Sequence, residues 1–283
     1  VHVLVLGDER KGSTLALLEG FAAWLRARGV SSEIVVDRES PLAHVRADLV
    51  VVFGGDGSLL GAARRMGSNQ MPTLGINRGR LGFLTSFEQE EARAGVDAAL
   101  RGRLREEPRL LLWCSTAAPD GSATEPVLGM NDGVVGRAAV GGMIMLRVWR
   151  EGTELATYRG DGLIVATAAG STAYSLAAGG PVLTPDLDAL VLTPLASHTL
   201  SARPLVLPVA AGIEIEVLET AGKSYAWLQV DGQVQIQVPI GGRAVLRPAP
   251  FRFRHLSPGP QQFFAVLREK FGFAGLPGPK PGH

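Results

Sequence analysis

Apolar positions in this chain recur with two different periods, and the change from one to the other divides it. Up to about residue 104, strand-like runs alternate with helix-like ones. Residues 1–7 (Val-His-Val-Leu-Val-Leu-Gly) read as a first strand. Leu15, Leu18, Phe21, Ala22 and Leu25 then fall at helical spacing within 14–28, and Gly29 stops that helix. Residues 32–36, 47–53 and 73–77 predict three more strands, and 58–66 and 90–101 two more helices. The last of these opens on Glu90 and Glu91 and closes on Arg101, as the helix dipole favours. The unbroken apolar run Leu49 to Phe53 has the character of a strand buried on both faces, as in the interior of a parallel sheet. Alternating strands and helices predict an open α/β sheet with right-handed crossovers, whose ligands gather at the carboxyl ends of the strands.

After Glu106-Glu107-Pro108 helical periodicity nearly disappears until about residue 258. Residues 110–116, 143–149, 163–166, 213–217 and 234–238 read as strands. The last two of these alternate apolar and polar residues, which predicts one wet face. Phe263, Phe264, Val266, Leu267 and Phe271 then predict one further helix, and residues 272–283 are rich in Gly and Pro, as in a loose tail. The expected organisation is an α/β domain over 1–104, a β-rich domain over 105–258, and a C-terminal helix and tail over 259–283 that packs back on the first domain.

Composition narrows the class. The 283 residues carry a formal net charge of +1, which gives no general electrostatic case for nucleic acid or a membrane surface. No apolar run approaches the roughly 18 residues of a membrane span, and residues 1–6 are too short an apolar run for a signal peptide. The single cysteine, Cys114, cannot form an internal disulfide and fits a reducing, cytoplasmic setting. The histidines show no metal-ligand spacing with it, so no metal site is expected.

Four segments look chemical. The first is Gly54-Gly55-Asp56-Gly57-Ser58, directly after the buried strand run. Its glycines allow a sharp turn and close approach of a ligand, Ser58 is placed to cap the helix that follows, and the helix N-terminus is a site for phosphate. Asp56 is the one acid in this loop and suits a hydroxyl-activating base or a Mg²⁺-organising group. The second is Asn131-Asp132-Gly133, which on its own reads as a turn. The third runs from Arg159-Gly160-Asp161-Gly162 through Gly170-Ser171-Thr172-Ala173-Tyr174-Ser175 to Gly179-Gly180-Pro181. Its small residues and hydroxyls can reach a sugar or phosphate. The fourth, Val230-Asp231-Gly232-Gln233, has the look of a hairpin turn. Gly7 to Ser13 has the glycine spacing of a P-loop but no Lys after the second glycine, and no G-x-S-x-G elbow is present. Asp186 and Asp188 read as solvated acids in a polar stretch.

The order of these segments, together with Gly75-Ile76-Asn77-Arg78-Gly79-Arg80-Leu81-Gly82-Phe83, resembles the NAD kinase family over roughly residues 49–235. The Gly-Gly-Asp-Gly element alone is shared with lipid kinases and phosphofructokinases; the block from Gly160 to Pro181 is far more specific. The resemblance implies a Rossmann/phosphofructokinase-like α/β N-terminal domain with a parallel sheet, a β-rich C-terminal domain and a C-terminal helix. It implies phosphorylation of NAD on the 2′-hydroxyl of the adenosine ribose, from ATP or polyphosphate with Mg²⁺, by a homodimer or homotetramer. Asp56 would be the catalytic residue, a base or orienting group at the ribose 2′-hydroxyl, with Gly55 and Gly57 making room for the diphosphate. Phe83 would lie near the adenine, and Asn131 and Asp132 would hold ribose hydroxyls. Asp161 would bind the nicotinamide side, Thr172, Ala173, Tyr174 and Ser175 would line the NAD site, and Gln233 would sit in a family Asp-Gly-Gln turn. Gly57, Arg78 and Arg80 are the candidates for the donor phosphates. Two departures stand out: Asp132 replaces the family's usual Glu, and Ala168-Ala169 replaces Pro followed by Thr or Ser. These departures keep open a non-catalytic NAD(P)-binding sensor, and the shared Gly-Gly-Asp-Gly loop a lipid kinase, against which the polar Gly170 to Ser175 block argues.

Overall fold

The computed structural model describes residues 1–8, 10, 14–79, 82–138, 142–197 and 202–272. The chain forms two compact units, one of Val1–Glu107 with the segment that begins at Arg254, the other of Pro108–Phe253. Residues 254–258, expected in the β-rich part, therefore belong with the α/β unit. The expected tail beyond Gly272 lies outside the described residues.

The α/β unit starts with β1 (His2–Leu6), α1 (Thr14–Arg26), β2 (Ser31–Val35), β3 (Leu49–Phe53), α2 (Asp56–Met66), β4 (Thr73–Asn77), the two-residue β5 (Phe87–Glu88) and α3 (Ala92–Leu100). Strands run β2-β1-β3-β4 and every pairing is parallel. All five residues of β3 and all five of β4 are buried, which is why both are almost wholly apolar or small. Leu18, Phe21 and Leu25 of α1 pack with Val3, Val5, Val51, Phe53 and Ile76, so the 3.6-residue apolar stripe is the face laid on the sheet. Phe21 meets Phe53 edge-on at 5.0 Å between ring centroids.

The β-rich unit follows from β6 (Arg105–Ala117) through β7 (Val127–Gly129), β8 (Asp132–Arg137), β9 (Ile144–Arg150), β10 (Thr153–Gly160), β11 (Gly162–Thr167), the four-residue helix α4 (Tyr174–Ala177), β12 (Ala189–Leu195), β13 (Leu205–Pro208), β14 (Ile213–Glu219), β15 (Tyr225–Val230), β16 (Val234–Pro239) and β17 (Arg243–Ser257). One sheet orders β13-β12-β11-β8-β15-β16, and β10-β9-β14-β17 run side by side in another, all antiparallel. Ile213, Ile215 and Val217 of β14 point into a core shared with Val135, Leu163, Val165 and Leu228, while the glutamates between them face outward. β11 is buried along its whole length and is one of the two middle strands of its sheet. Cys114 is fully buried in the same core. Burial first, and then the nearby carboxylates of Asp231 and Asp132, push its thiol far above the usual range. Asp188, expected to be free in solvent, makes a two-pronged ion pair with Arg252 at 2.7 and 3.0 Å.

The chain then returns to the α/β unit. His255 of β17 pairs with Thr73 of β4 in parallel, and α5 (Gln261–Phe271) follows. Among the described residues no helix is long and apolar enough to cross a membrane.

Candidate active site

In the α/β unit, β3 ends at Phe53 and the loop turns directly into α2. The glycines serve space rather than unusual dihedrals. A Cβ on Gly54 would clash with the Ser58 hydroxyl, whereas a Cβ on Gly55, whose backbone is extended, would meet nothing within 4 Å among the described residues. The helix starts at Asp56, two residues earlier than expected, with Gly55 as N-cap and no side-chain cap. Ser58 is therefore not the cap. It lies in the first turn, its N–H donating to the Gly55 carbonyl at 2.8 Å. The N-terminal amides of α2 keep the character of an anion site.

Asp56 is held on both oxygens. Oδ2 accepts the Phe83 N–H at 2.9 Å and Oδ1 the Leu84 N–H at 3.0 Å. The approach is so close that a Cβ on Gly82 would fall 1.9 Å from Oδ1, which explains the glycine before Phe83. A carboxylate oxygen has two lone-pair directions, so each oxygen keeps one for a further donor. Asp56 is thus an oriented acceptor at a helix N-terminus, not a freely rotating acid.

Other expected residues of this unit are placed differently. The Phe83 ring stacks on Phe271 at 6.1 Å with an interplanar angle of 18° and leans on Phe263 at 5.6 Å. Its neighbours are thus on α5, where an adenine contact was expected. Arg78 donates to the hydroxyl of Thr14 at the start of α1, so its guanidinium is engaged in the fold. Arg80 lies outside the described residues. Gly57 is exposed in the first turn of α2. Sequence reasoning missed two polar side chains here. Asn77, at the carboxyl end of β4, is 4% exposed and its Nδ2 has no partner among the described residues. His255 is 3% exposed, and its Nε2 lies 2.8 Å from the Leu84 carbonyl. Asn77 stood inside a quoted motif; His255 had no signal beyond being a polar residue in an apolar strand run.

In the β-rich unit the hairpin turn has a second task. Asp231 sits at φ +50° and Gly232 at φ +64°, so the turn between β15 and β16 takes the primed form that suits antiparallel strands. It also aims the Asp231 carboxylate at the segment between β7 and β8, where it accepts the N–H groups of Met130 at 3.0 Å, Asn131 at 2.8 Å and Asp132 at 3.1 Å. Asn131 is tied on its other side as well. Its carbonyl accepts the Thr167 N–H at 2.8 Å, the Thr167 hydroxyl donates to Met130 O at 2.6 Å, and a Cβ on Gly170 would fall 2.0 Å from Asn131 O. Asn131, Asp132, Asp231 and the Gly170-Ser171-Thr172 turn are therefore one cluster.

Thr172 and Ala173 are half-buried and Tyr174 is 49% exposed, so these can line an open site. Ser175 cannot do so with its side chain: it is fully buried and its hydroxyl is bonded to Thr193 at 2.8 Å. Gln233 is exposed beside the turn. Asp161 stands apart, at the opposite end of β11 from Thr167, about 20 Å away at strand rise, and pairs with Arg137 at 3.4 Å.

Asp132 is the electrostatically perturbed member. Burial, and then the adjacent Asp231 carboxylate, push its carboxyl up to about 7. An acid raised on folding stabilises the folded state fully below its unfolded value of ~4, and that contribution is lost as pH rises through about 7. Asp132→Asn, which stays neutral, is expected to melt at a higher temperature than the parent at pH 8.5 and at a similar one at pH 4. Equal melting temperatures at pH 8.5 would show that Asp132 is not perturbed.

The α/β unit thus presents a helix N-terminus with one oriented carboxylate, and the β-rich unit a small-residue cradle organised by Asp132 and Asp231. Residues 15–104 match the ATP-NAD kinase N-terminal domain and residues 130–257 the ATP-NAD kinase C-terminal domain. The chain is 40% identical over 287 residues to the NAD kinase of Nitrosospira multiformis, covering 97% of this chain and 96% of that one. It is 39% identical to the NAD kinase of Cupriavidus pinatubonensis, covering 89% and 86%. Among solved structures, yeast NADH kinase complexed with NADH superposes with a TM-score of 0.86 at 26% identity, over 97% of this chain and 88% of that one. An NAD kinase from Archaeoglobus fulgidus in complex with ATP gives 0.75 at 27% identity, over 96% and 98%. The chain belongs to the NAD kinase family. These comparisons do not favour the lipid-kinase or the non-catalytic sensor reading.

Proposed function

We propose that this chain transfers a phosphoryl group from ATP or polyphosphate to the 2′-hydroxyl of the adenosine ribose of NAD, giving NADP. The observation that carries the reading is Asp56, oriented by two backbone amides at the N-terminus of α2. Phosphoryl transfer asks the protein for positioning and charge neutralisation more than covalent chemistry. Asp56 accepts the proton of the ribose hydroxyl, the first-turn amides of α2 at Gly57 hold donor phosphate oxygens, and Asn131 with Asp132 hold the ribose hydroxyls. Thr172, Ala173 and Tyr174 border the nucleotide. A Mg²⁺ carried by the donor phosphates would neutralise their charge, and Asp56 would be the residue to hold it. Among the described residues no three or more His, Cys, Asp or Glu gather as a cation cage, and a Mg²⁺ carried by phosphates needs only one or two protein carboxylates, of which Asp56 is the one at hand.

A homo-oligomer suits the position of Asp161. Standing at the far end of β11 from the Thr172 cluster, it serves the nicotinamide side of a nucleotide held by a second copy. The lone buried Cys114 suits a reducing cytoplasm.

The test is NADP formation. Purified protein is incubated with NAD, Mg²⁺ and either ATP or polyphosphate, and NADP is read through an NADP-specific dehydrogenase. NADP formed with one donor supports the proposal and identifies the phosphate source. Tight NADP binding with no turnover on any donor would overturn it in favour of a sensor.

A further inference from the structure

The loop that orients Asp56 is itself held from the C-terminal side of the chain. Leu84 is pinned at both ends of its peptide environment: its N–H donates to Asp56 at 3.0 Å, and its carbonyl lies 2.8 Å from His255 Nε2. A carbonyl only accepts, so Nε2 carries the hydrogen and donates. On the other side of the ring the Glu107 carboxylate lies 4.0 Å from Nδ1. Gln262 of α5 donates to the Ser86 carbonyl at 2.8 Å and to the Thr85 carbonyl at 3.3 Å, and the Ser86 hydroxyl donates to Leu256 O at 2.8 Å. Phe83, the other donor to Asp56, rests on Phe263 and Phe271. Successive residues from 83 to 86 are thus each fixed by the segment 255–271.

We propose that His255 is a positioning residue for Asp56, acting through the Leu84 peptide. Burial at 3% exposure makes the Nε2–Leu84 bond strong and its loss costly, because the Leu84 carbonyl has no water to replace it. Freed of that donor, the loop shifts, and the two amides that aim the Asp56 carboxylate shift with it. Displacements near 1 Å at a reacting group cost up to about 10²-fold in rate. On the proposed reading the ribose hydroxyls are held by Asn131 and Asp132 of the β-rich unit, which His255 does not touch, so KM for NAD should change little.

The inference rests on Asp56 as the group that receives the hydroxyl proton, and the experiment separates the two. NADP formation is measured for His255→Leu, which removes the donor, and for His255→Gln, whose Nε2 amide can reach the same carbonyl. Asp56→Asn is run beside them. The expected result is a fall in kcat of at least about tenfold for His255→Leu, with KM for NAD within about twofold. His255→Gln should recover most of kcat. An unchanged kcat in a folded His255→Leu, or a loss that Gln does not restore, overturns the positioning role. Should His255→Leu not fold, Gln262→Leu tests the same hold from α5: a lower kcat at constant KM supports the proposal and an unchanged kcat overturns it. If Asp56→Asn itself retains turnover, the reading of Asp56 fails. If Asp56→Asn loses turnover and His255→Leu does not, only the positioning inference fails.

Discussion

Asp56→Asn is expected to lower NADP formation by about 10²- to 10⁴-fold, the usual contribution of a positioned general base, with little change in NAD binding. The structure adds a second effect. Asp56 gives one oxygen to Phe83 N–H and the other to Leu84 N–H. Asparagine has a single acceptor oxygen, so its amide NH₂ is turned toward one of those N–H groups. Losing that bond costs on the order of 1–2 kcal/mol, so the variant should also melt a few degrees lower. Initial rates, NAD titration and thermal melting on one preparation separate the terms. Near-normal turnover would remove Asp56 from the chemistry, and unchanged melting would show that the loop finds another acceptor.

Asp231→Ala should have the largest effect on stability. Three consecutive N–H groups, those of Met130, Asn131 and Asp132, converge on this one carboxylate. Alanine leaves them without their acceptor in a half-buried turn and also places a methyl-bearing residue at φ +50°, where Asp is far better tolerated. The expected loss is on the order of 3 kcal/mol, read as a lower denaturant midpoint. Because the same amides belong to the Asn131-Asp132 segment, KM for NAD should rise by tenfold or more. Asp231→Asn, which keeps one acceptor and tolerates the backbone, should fall between. A destabilised variant with normal KM for NAD would separate this turn from the nucleotide site.

The α/β unit was legible because parallel strands buried on both faces leave long apolar runs. Leu49 to Phe53 and Thr73 to Asn77 needed no tertiary information. The β-rich unit was legible where one face is wet, as in β14 and β16, and its boundary at Arg254 was not, because β17 runs unbroken across it. The start of α2 was misplaced since Ser58 is a favourable cap by type, whereas Gly55 holds that position by geometry alone. In the site, motif residues were visible as residues, but their partners were not. Asp231 read as a turn former because its three acceptor bonds span about a hundred residues of sequence. Ser175 read as a ligand hydroxyl because nothing local reveals that Thr193 covers it. His255 could not be seen at all, since its role depends on a strand that closes onto a loop 171 residues earlier.

That closure has a consequence for synthesis. The β-rich unit is one unbroken stretch of chain, Pro108–Phe253, and has all its strands once that stretch has been made. The α/β unit is translated first yet waits longest: β1 to β4 exist early, but the residues that fix the 83–86 loop come only after the whole β-rich unit. A chain ending before Arg254 would therefore hold every residue of the second unit and an uncompleted first one. The usual amino-to-carboxyl order of domain maturation is reversed, and protease resistance of the α/β unit should appear only once the residues from Arg254 on are free to fold back.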